Sequence, residues 1–127
     1  MRLDEDFGVS SAKLDALKSR IARLRIDLSR VEEAFSRGGG KGGQKVNKTA
    51  NRVQLYYEPL DLRVSCHRER RRSLNRFLAL RELVDRIEMK VSPETSERLK
   101  EFERLRKAKL RAHARSAAKY APPQENA

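Results

Sequence analysis

The sequence contains no tryptophan, one cysteine and only 6% aromatic residues in 127 residues. A chain of this length buries one modest hydrophobic core, so the composition indicates a single small globular unit. No apolar run approaches the roughly 20 residues that a membrane-spanning helix needs. The lone cysteine, Cys66, cannot form an intrachain disulfide, which fits a protein of a reducing compartment. We expect Cys66 to be a buried residue of a strand.

Acidic residues are scarce relative to basic ones. Thirty Lys and Arg stand against eighteen Asp and Glu, which gives a formal charge of +12. This balance predicts a polyanionic partner, which could be nucleic acid, an anionic membrane surface or an acidic protein. The first residues, MRLDEDFGVSS, carry three acids and fit neither a secretory signal nor a transit peptide, so we expect a soluble cytoplasmic protein.

Apolar periodicity predicts a helix followed by a small sheet. A stripe of leucine and isoleucine behind a serine cap indicates a helix over about residues 11–24. Residues 25–37 suit either a loop entering a strand or a second helix, and a strand over 31–36 is the favoured interpretation. Alternating apolar residues predict two further strands, over about 52–57 and 62–67.

The second half of the sequence predicts a packed helix and a basic tail. Residues 70–90 have apolar positions at helical spacing over five turns. Ser92 and Pro93 carry the cap and first-turn signals of another helix. Residues 104–119 include seven basic residues and no acid. Because this arm has too few apolar positions to pack on a core, we expect it to be helical or partly disordered until it binds.

These elements predict an α+β fold in which a short sheet packs on one main helix. We divide the chain into an N-terminal helix and lead-in over 1–30, a central domain over 31–91 and a basic C-terminal tail over 92–127. The two histidines, His67 and His113, lack partners at metal-ligand spacing, so neither a metal nor a cofactor is expected.

Five of the six glycines lie in one stretch, SRGGGKGGQKVNKTANRV. A phosphate-binding Walker loop needs Ser or Thr directly after Gly40-Lys41, where Gly42 stands. The glycine spacing also matches the dinucleotide-binding motif, but the sequence lacks the helix that should follow it and the acidic residue about 20 positions further on. A flexible hairpin loop without chemistry is the simplest alternative, although such a linker would not continue as QKVNKT into a strand.

Gly42-Gly43-Gln44 followed by Val46-Asn47-Lys48-Thr49 resembles the catalytic GGQ loop of class I peptide chain release factors. The resemblance extends from Val31 to Ile87 and includes the run RRRSLN that opens the packed helix. It implies a loop that enters the peptidyl transferase centre and hydrolyses the ester between the nascent peptide and tRNA. The partners implied are the ribosome, through large-subunit rRNA, and peptidyl-tRNA, with no membrane and a monomer off the ribosome.

The resemblance also implies a role for each loop residue. The backbone N–H of Gln44 would stabilise the oxyanion or the leaving 3′ oxygen, and its amide would confine the attacking water. Gly42 and Gly43 would set that geometry, because residues without Cβ let the main chain approach RNA closely. Asn47 is expected to hold the base of the loop through the local backbone. No loop residue is a general base, so positioning and charge stabilisation would carry the reaction.

A second set of residues is expected to contact RNA through positive charge or hydrogen bonds. Arg70–Arg72 form a cluster from which one or two side chains would face RNA. The whole set comprises Lys41, Lys45, Asn47, Lys48, Arg52, Arg70, Arg71, Arg72, Arg104, Arg106, Lys107, Lys109, Arg111, Arg115 and Lys119.

The chain has no room for a stop-codon-reading domain, so we expect a codon-independent rescue factor. Rescue factors of this family form two branches. One is alternative rescue factor B, which acts on stalled 70S ribosomes, and the other is the mitochondrial rescue factor and its bacterial relatives, which act on split large subunits. This sequence resembles the second branch more closely. A non-catalytic RNA-binding protein that keeps the loop as a contact surface is the alternative.

Two positions depart from the family pattern. Lys41 stands where release factors commonly carry alanine or proline. The turn between the last two strands, residues 58–61, lacks the family's glycine, and Asp61 is expected to adopt the left-handed conformation instead.

Overall fold

Three α-helices and a three-stranded antiparallel sheet are present in the computed structural model, which describes residues 1–37 and 50–120. The predicted α+β fold is therefore confirmed. The elements are α1 (Ser11–Arg23), β1 (Val31–Ser36), β2 (Arg52–Tyr57), β3 (Leu62–Cys66), α2 (Arg72–Val91) and α3 (Glu97–Tyr120).

Helix α1 begins and ends with recognisable caps. The hydroxyl of Ser10 accepts a hydrogen bond from the backbone N–H of Lys13 at 3.4 Å. At the other end, Arg25 adopts a left-handed conformation with φ 55°. The N–H of Ile26 then reaches the carbonyl of Ile21 at 3.1 Å, which closes a Schellman motif. The predicted serine-capped helix is confirmed.

The sheet has the order β1-β2-β3, and its register places alternate residues on one buried face. Val53, Leu55 and Tyr57 of β2 are buried, and they pair with Phe35, Glu33 and Val31 of β1. The strand at 31–36 and the hairpin of the last two strands are confirmed. Asp61 adopts φ 50° in the turn, as expected from the missing glycine.

The core lies between this face of the sheet and helix α2. Leu80, Leu83, Val84 and Ile87 of α2 are at most 1% exposed, and α1 adds Leu17 and Ile21 to the same cluster. Cys66 is buried at the end of β3 and is a free thiol, as expected.

The start of α2 differs from the prediction by two residues. Arg70 and Arg71 precede the helix, and Arg71 has the extended angles φ −91° and ψ 123°. The side chain of Asn75 holds both the N–H and the carbonyl of Glu69, at 2.9 Å each. These bonds keep the segment before the helix extended.

The predicted start of the last helix at Ser92 and Pro93 is wrong. Pro93–Thr95 form a single 3-10 turn, and α3 begins at Glu97 behind Ser96, whose hydroxyl accepts from the N–H of Leu99 at 3.1 Å. The N–H of Ser96 closes the turn on the carbonyl of Pro93 at 3.2 Å, and the hydroxyl of Thr95 ties the turn to α2 by donating to the carboxylate of Glu88 at 2.7 Å. Of the two states expected for the tail, the structure has the helical one through Tyr120.

Candidate nucleic-acid interface at the base of the glycine-rich loop

Three chain segments meet at one end of the sheet. β1 ends at Ser36 opposite Arg52, where β2 begins, and β3 ends at Cys66, which pairs with Val53. Because neighbouring strands are antiparallel, the exit and return of the glycine-rich connection lie beside the link from β3 to α2. The loop base and the arginine cluster before α2 therefore occupy the same end of the molecule.

Asn75, in the first turn of α2, joins these segments and is 0% exposed. Its amide nitrogen donates to the carbonyl of Asn51 at 2.8 Å and to that of Glu69 at 2.9 Å. Its amide oxygen accepts from the N–H of Glu69 at 2.9 Å and faces the thiol of Cys66 at 3.6 Å. In the sequence, Asn75 is marked only as part of the run RRRSLN, and the role of holding the loop is expected of Asn47, which lies outside the described residues.

The three arginines before and at the start of α2 have different surroundings. The guanidinium of Arg71 lies beside Gly8, where an added Cβ would stand 3.0 to 3.2 Å from it. Gly8 has φ 75°, so its backbone conformation favours glycine, whereas the end of the flexible Arg71 side chain could move aside for a Cβ. Arg72 stacks over the ring of Phe35 at 4.7 Å. Arg70 is exposed, and no hydrogen bond or ion pair ties it to another described residue.

Arginines at this end differ from those on the opposite side of α2 in their partners. Within residues 1–37 and 50–120, no carboxylate forms an ion pair with the following six side chains: Arg37, Arg52, Arg68, Arg70, Arg71 and Arg72. Arg52 is half-buried and the other five are exposed. Guanidinium groups without acidic partners are available to phosphates, and the proposed RNA contacts of Arg52 and Arg70–Arg72 stay predictions.

On the other side of α2, carboxylates one turn apart bind arginines from α1 and α3. Arg20 reaches Asp85 and Glu88, both at 2.7 Å, and Arg98 holds Glu82 through two bonds of 2.7 and 2.6 Å. The hydrogen bonds from Arg98 lower the pKa of Glu82 to about 2. These ion pairs fix α1 and the start of α3 against α2.

Glu88 is the most buried member of this network, with 2% of its side chain exposed. Burial alone would raise its pKa, but hydrogen bonds from Arg20, Arg23 and Thr95 outweigh that effect and lower the pKa to about 2. All three donors lie between 2.7 and 2.8 Å from the carboxylate. The carboxylate is therefore charged and paired at neutral pH.

The basic residues predicted in the tail all lie on α3 and are exposed. Arg104 pairs with Glu101, and Glu103 binds Arg106 at 2.8 Å and Lys107 at 4.0 Å. The remaining four, Lys109, Arg111, Arg115 and Lys119, form no ion pair within the described part of the chain. Lys119 lies 5.5 Å from the ring of Tyr120, which is itself exposed. The outer half of α3 thus presents uncompensated positive charge.

Several predicted site residues lie outside residues 1–37 and 50–120. They are the proposed catalytic residues Gly42, Gly43 and Gln44 and the proposed RNA contacts Lys41, Lys45, Asn47 and Lys48. Their assignments stay predictions. In the described ranges, no group of three His, Cys, Asp or Glu side chains is arranged to hold a metal, and no helix is long and apolar enough to span a membrane. The absence of a metal also stays a prediction.

Comparison with known proteins identifies the family. A model described as the RF-1 domain matches residues 19–125. The chain belongs to the RF-1 domain family. The predicted membership of the class I release factor family is thereby confirmed, and the match includes the glycine-rich connection, the three strands, α2 and all of α3.

Individual relatives of this RF-1 domain protein carry two kinds of name. The mitochondrial translation release factor in rescue of Mus musculus is 35% identical over 109 residues, 83% of this chain and 59% of that protein. An uncharacterised mitochondrial peptide chain release factor-like protein of Saccharomyces cerevisiae is 40% identical over 91 residues, 69% of this chain and 57% of that protein. The chain spans less than two thirds of the length of both relatives.

A third relative is peptide chain release factor 1 of Leuconostoc citreum, 41% identical over 59 residues. The match covers 46% of this chain and 16% of that protein. The shared segment is therefore a small part of a much longer release factor.

Proposed function

We propose that this RF-1 domain protein hydrolyses peptidyl-tRNA on the ribosome without reading a stop codon. The observation that carries the proposal is the Gly42-Gly43-Gln44 tripeptide, in a connection whose two ends leave adjacent strands of an RF-1 domain. The rescue activity named for the mouse relative supports the codon-independent form. Residues 31–91 would supply the reaction and residues 92–127 additional binding.

The proposed chemistry is ester hydrolysis. A water oxygen attacks the carbonyl carbon that links the peptide to the 3′ oxygen of tRNA, and the bond from that carbon to the 3′ oxygen breaks. One proton of the water goes to the leaving 3′ oxygen and the other is released to solvent, which yields a peptide carboxylate and a tRNA 3′ hydroxyl. The backbone N–H of Gln44 is the donor for the developing negative charge, and a donor of this kind contributes about 3 to 4 kcal/mol.

Binding would come from the two basic surfaces. The unpaired arginines at the loop base would contact rRNA near the reacting ester, and the outer half of α3 would contact the backbone of rRNA or tRNA. Six guanidinium groups at one end, none of which pairs with a carboxylate among the described residues, favour a polyanion over a neutral surface. Cytoplasmic localisation and a monomeric state off the ribosome stay predictions.

The decisive experiment measures peptide release from three complexes. The purified chain is added to 70S ribosomes with an empty mRNA channel, to 70S ribosomes with a filled channel, and to split 50S subunits that carry peptidyl-tRNA. We expect release from at least one complex that lacks a stop codon. Gly43→Ala should lower single-turnover release about 100-fold or more, because an added Cβ displaces the backbone donor of Gln44. Gln44→Ala keeps that donor and removes only the side-chain amide, so it should lower release to a smaller extent, and both variants should leave ribosome binding intact.

Unchanged release by Gly43→Ala would contradict the catalytic assignment, and unchanged release by Gln44→Ala would contradict the role of its side-chain amide. Binding of the wild-type chain without release from any complex would favour the non-catalytic RNA-binding alternative. Release only from the split 50S complex would assign the chain to the branch of the mitochondrial rescue factor.

A further inference from the structure

Asn75 is unusual among the core residues because it is a buried amide with every hydrogen-bonding position engaged. An asparagine side chain has two N–H donors and an oxygen that accepts twice. Both donors and one acceptor position are used at 2.8 to 2.9 Å, and the Cys66 thiol faces the other at 3.6 Å. A buried amide costs free energy of desolvation unless it is satisfied, so this arrangement serves a specific backbone geometry.

The partners of Asn75 belong to three different segments of the chain. Asn51 ends the glycine-rich connection, Cys66 ends β3, and Glu69 lies in the link to α2. Strand β2 begins one residue after Asn51, so the bond to the carbonyl of Asn51 fixes the point at which the loop rejoins the sheet. The side chain is thus anchored in helix α2 and holds the main chain at Asn51, directly before β2.

We propose that Asn75 is a positioning residue for the GGQ loop. It acts by holding the main chain at Asn51 in place and makes no contact with substrate. This inference rests on the proposed hydrolysis, and it adds a residue outside the loop on which the rate depends. A displacement of about 1 Å at a reacting group lowers a rate by about 100-fold, so a loosened anchor has a large effect at the tip.

The test compares Asn75→Ala with Val84→Ala in the full chain. Val84 is also 0% exposed on α2 but lies more than two turns further along, and its truncation leaves the loop base intact. The first readout is the saturating single-turnover rate of peptide release from split 50S subunits that carry peptidyl-tRNA. The second is amide hydrogen exchange over residues 50–53 and at Glu69, measured in the free protein.

We expect Asn75→Ala to lower the saturating release rate at least ten-fold without raising the half-saturating protein concentration, and to speed exchange over residues 50–53. Val84→Ala should leave both readouts close to wild type at a temperature at which circular dichroism shows both variants folded. If Asn75→Ala does not fold, Asn75→Ser replaces it, because a hydroxyl retains one donor at the site.

Unchanged release by the folded variant would overturn the proposal, whatever its exchange rates. An equal loss of release in Val84→Ala would overturn it too, because the effect would then follow general destabilisation. If the wild-type chain releases no peptide, the proposed hydrolysis fails and exchange alone decides: faster exchange over residues 50–53 supports the anchor, and unchanged exchange overturns it.

Discussion

Helices α2 and α3 are both long, and both combine leucine with arginine, but their surroundings differ. α2 has 20 residues, of which eight are buried, whereas α3 has 24 residues and none is buried. In α2 the leucines fill the core and the acids hold arginines from neighbouring helices. In α3, Leu105 and Leu110 are 57% and 58% exposed. The first helix is a scaffold and the second is a surface.

The two helices also begin differently. Arg71 precedes α2 and makes no side-chain capping bond, while Ser96 caps α3 through the N–H of Leu99. A helix held by core packing does not depend on its cap, but an exposed helix relies on local interactions. Ion pairs three residues apart, such as Glu103 with Arg106, supply further local support in α3.

Matched leucine truncations give the largest expected difference between the helices. Leu83→Ala in α2 removes a side chain that is 0% exposed and should lower the free energy of unfolding by about 2 to 5 kcal/mol. Leu110→Ala in α3 should change it by less than about 0.5 kcal/mol, because that side chain remains in water in the folded state. Urea denaturation followed by circular dichroism measures both. Equal losses would mean that α3 packs on the domain in solution.

Paired carboxylates provide the second comparison, through pH. The pKa of Glu88 is lowered to about 2 in the folded protein from an ordinary value of 4.5. Its contribution to stability is therefore fully present above pH 4.5 and is lost as the pH falls through 2. Glu88→Gln should lower the free energy of unfolding by about 3 kcal/mol at pH 7, and the difference from wild type should shrink between pH 5 and 2.

Glu101→Gln in α3 is the control for this experiment. Glu101 pairs with Arg104, but half of its side chain is exposed. Its removal should change stability by less than about 0.5 kcal/mol at any pH, since exposed ion pairs contribute little. Denaturation curves at pH 2, 3, 5 and 7 distinguish the two variants. A constant gap between Glu88→Gln and wild type across this range would show that the charge of Glu88 does not contribute.

The strands and the packed helix could be predicted because each apolar pattern coincides with its burial. Val53, Leu55 and Tyr57 alternate along β2, and all three are buried. The start of α3 could not be predicted in this way, because Ser92 and Ser96 both carry capping signals. The helix begins after Ser96 because the hydroxyl of Thr95 binds the buried Glu88, which holds the residues before Ser96 in a turn. This contact depends on how the α2 side chains pack.

Only those residues of the candidate site that belong to a motif could be predicted from the sequence. The tripeptide Gly42-Gly43-Gln44 identifies the loop from its letters alone. Asn75 looks like any polar residue in a helix, and its role depends on three separate segments meeting around it. The N-terminal residues gave no periodic signal, yet Phe7 packs against Phe77 with ring centroids 6.5 Å apart and Gly8 receives Arg71.

Removal of unpaired charge from α3 should have the smallest effect on stability of these changes. It tests directly whether α3, and not α2, binds RNA. Arg111 and Arg115 form no ion pair with a described residue, whereas Arg86 on α2 pairs with Glu82 at 3.0 Å. If the first two contact phosphates, the double variant Arg111→Gln/Arg115→Gln should reduce the slope of log K against log salt by about 1.5.

This slope is measured from the affinity of the chain for 50S subunits between about 50 and 200 mM salt, a range over which phosphate contacts dominate the salt dependence of binding. The stability of the double variant should stay within about 0.5 kcal/mol of wild type, because both side chains are exposed. Arg86→Gln should leave the slope unchanged, since its charge is already paired within the scaffold. A fall in Arg86→Gln about half as large as in the double variant, in proportion to one charge removed against two, would mean that net charge, and not the surface of α3, governs binding.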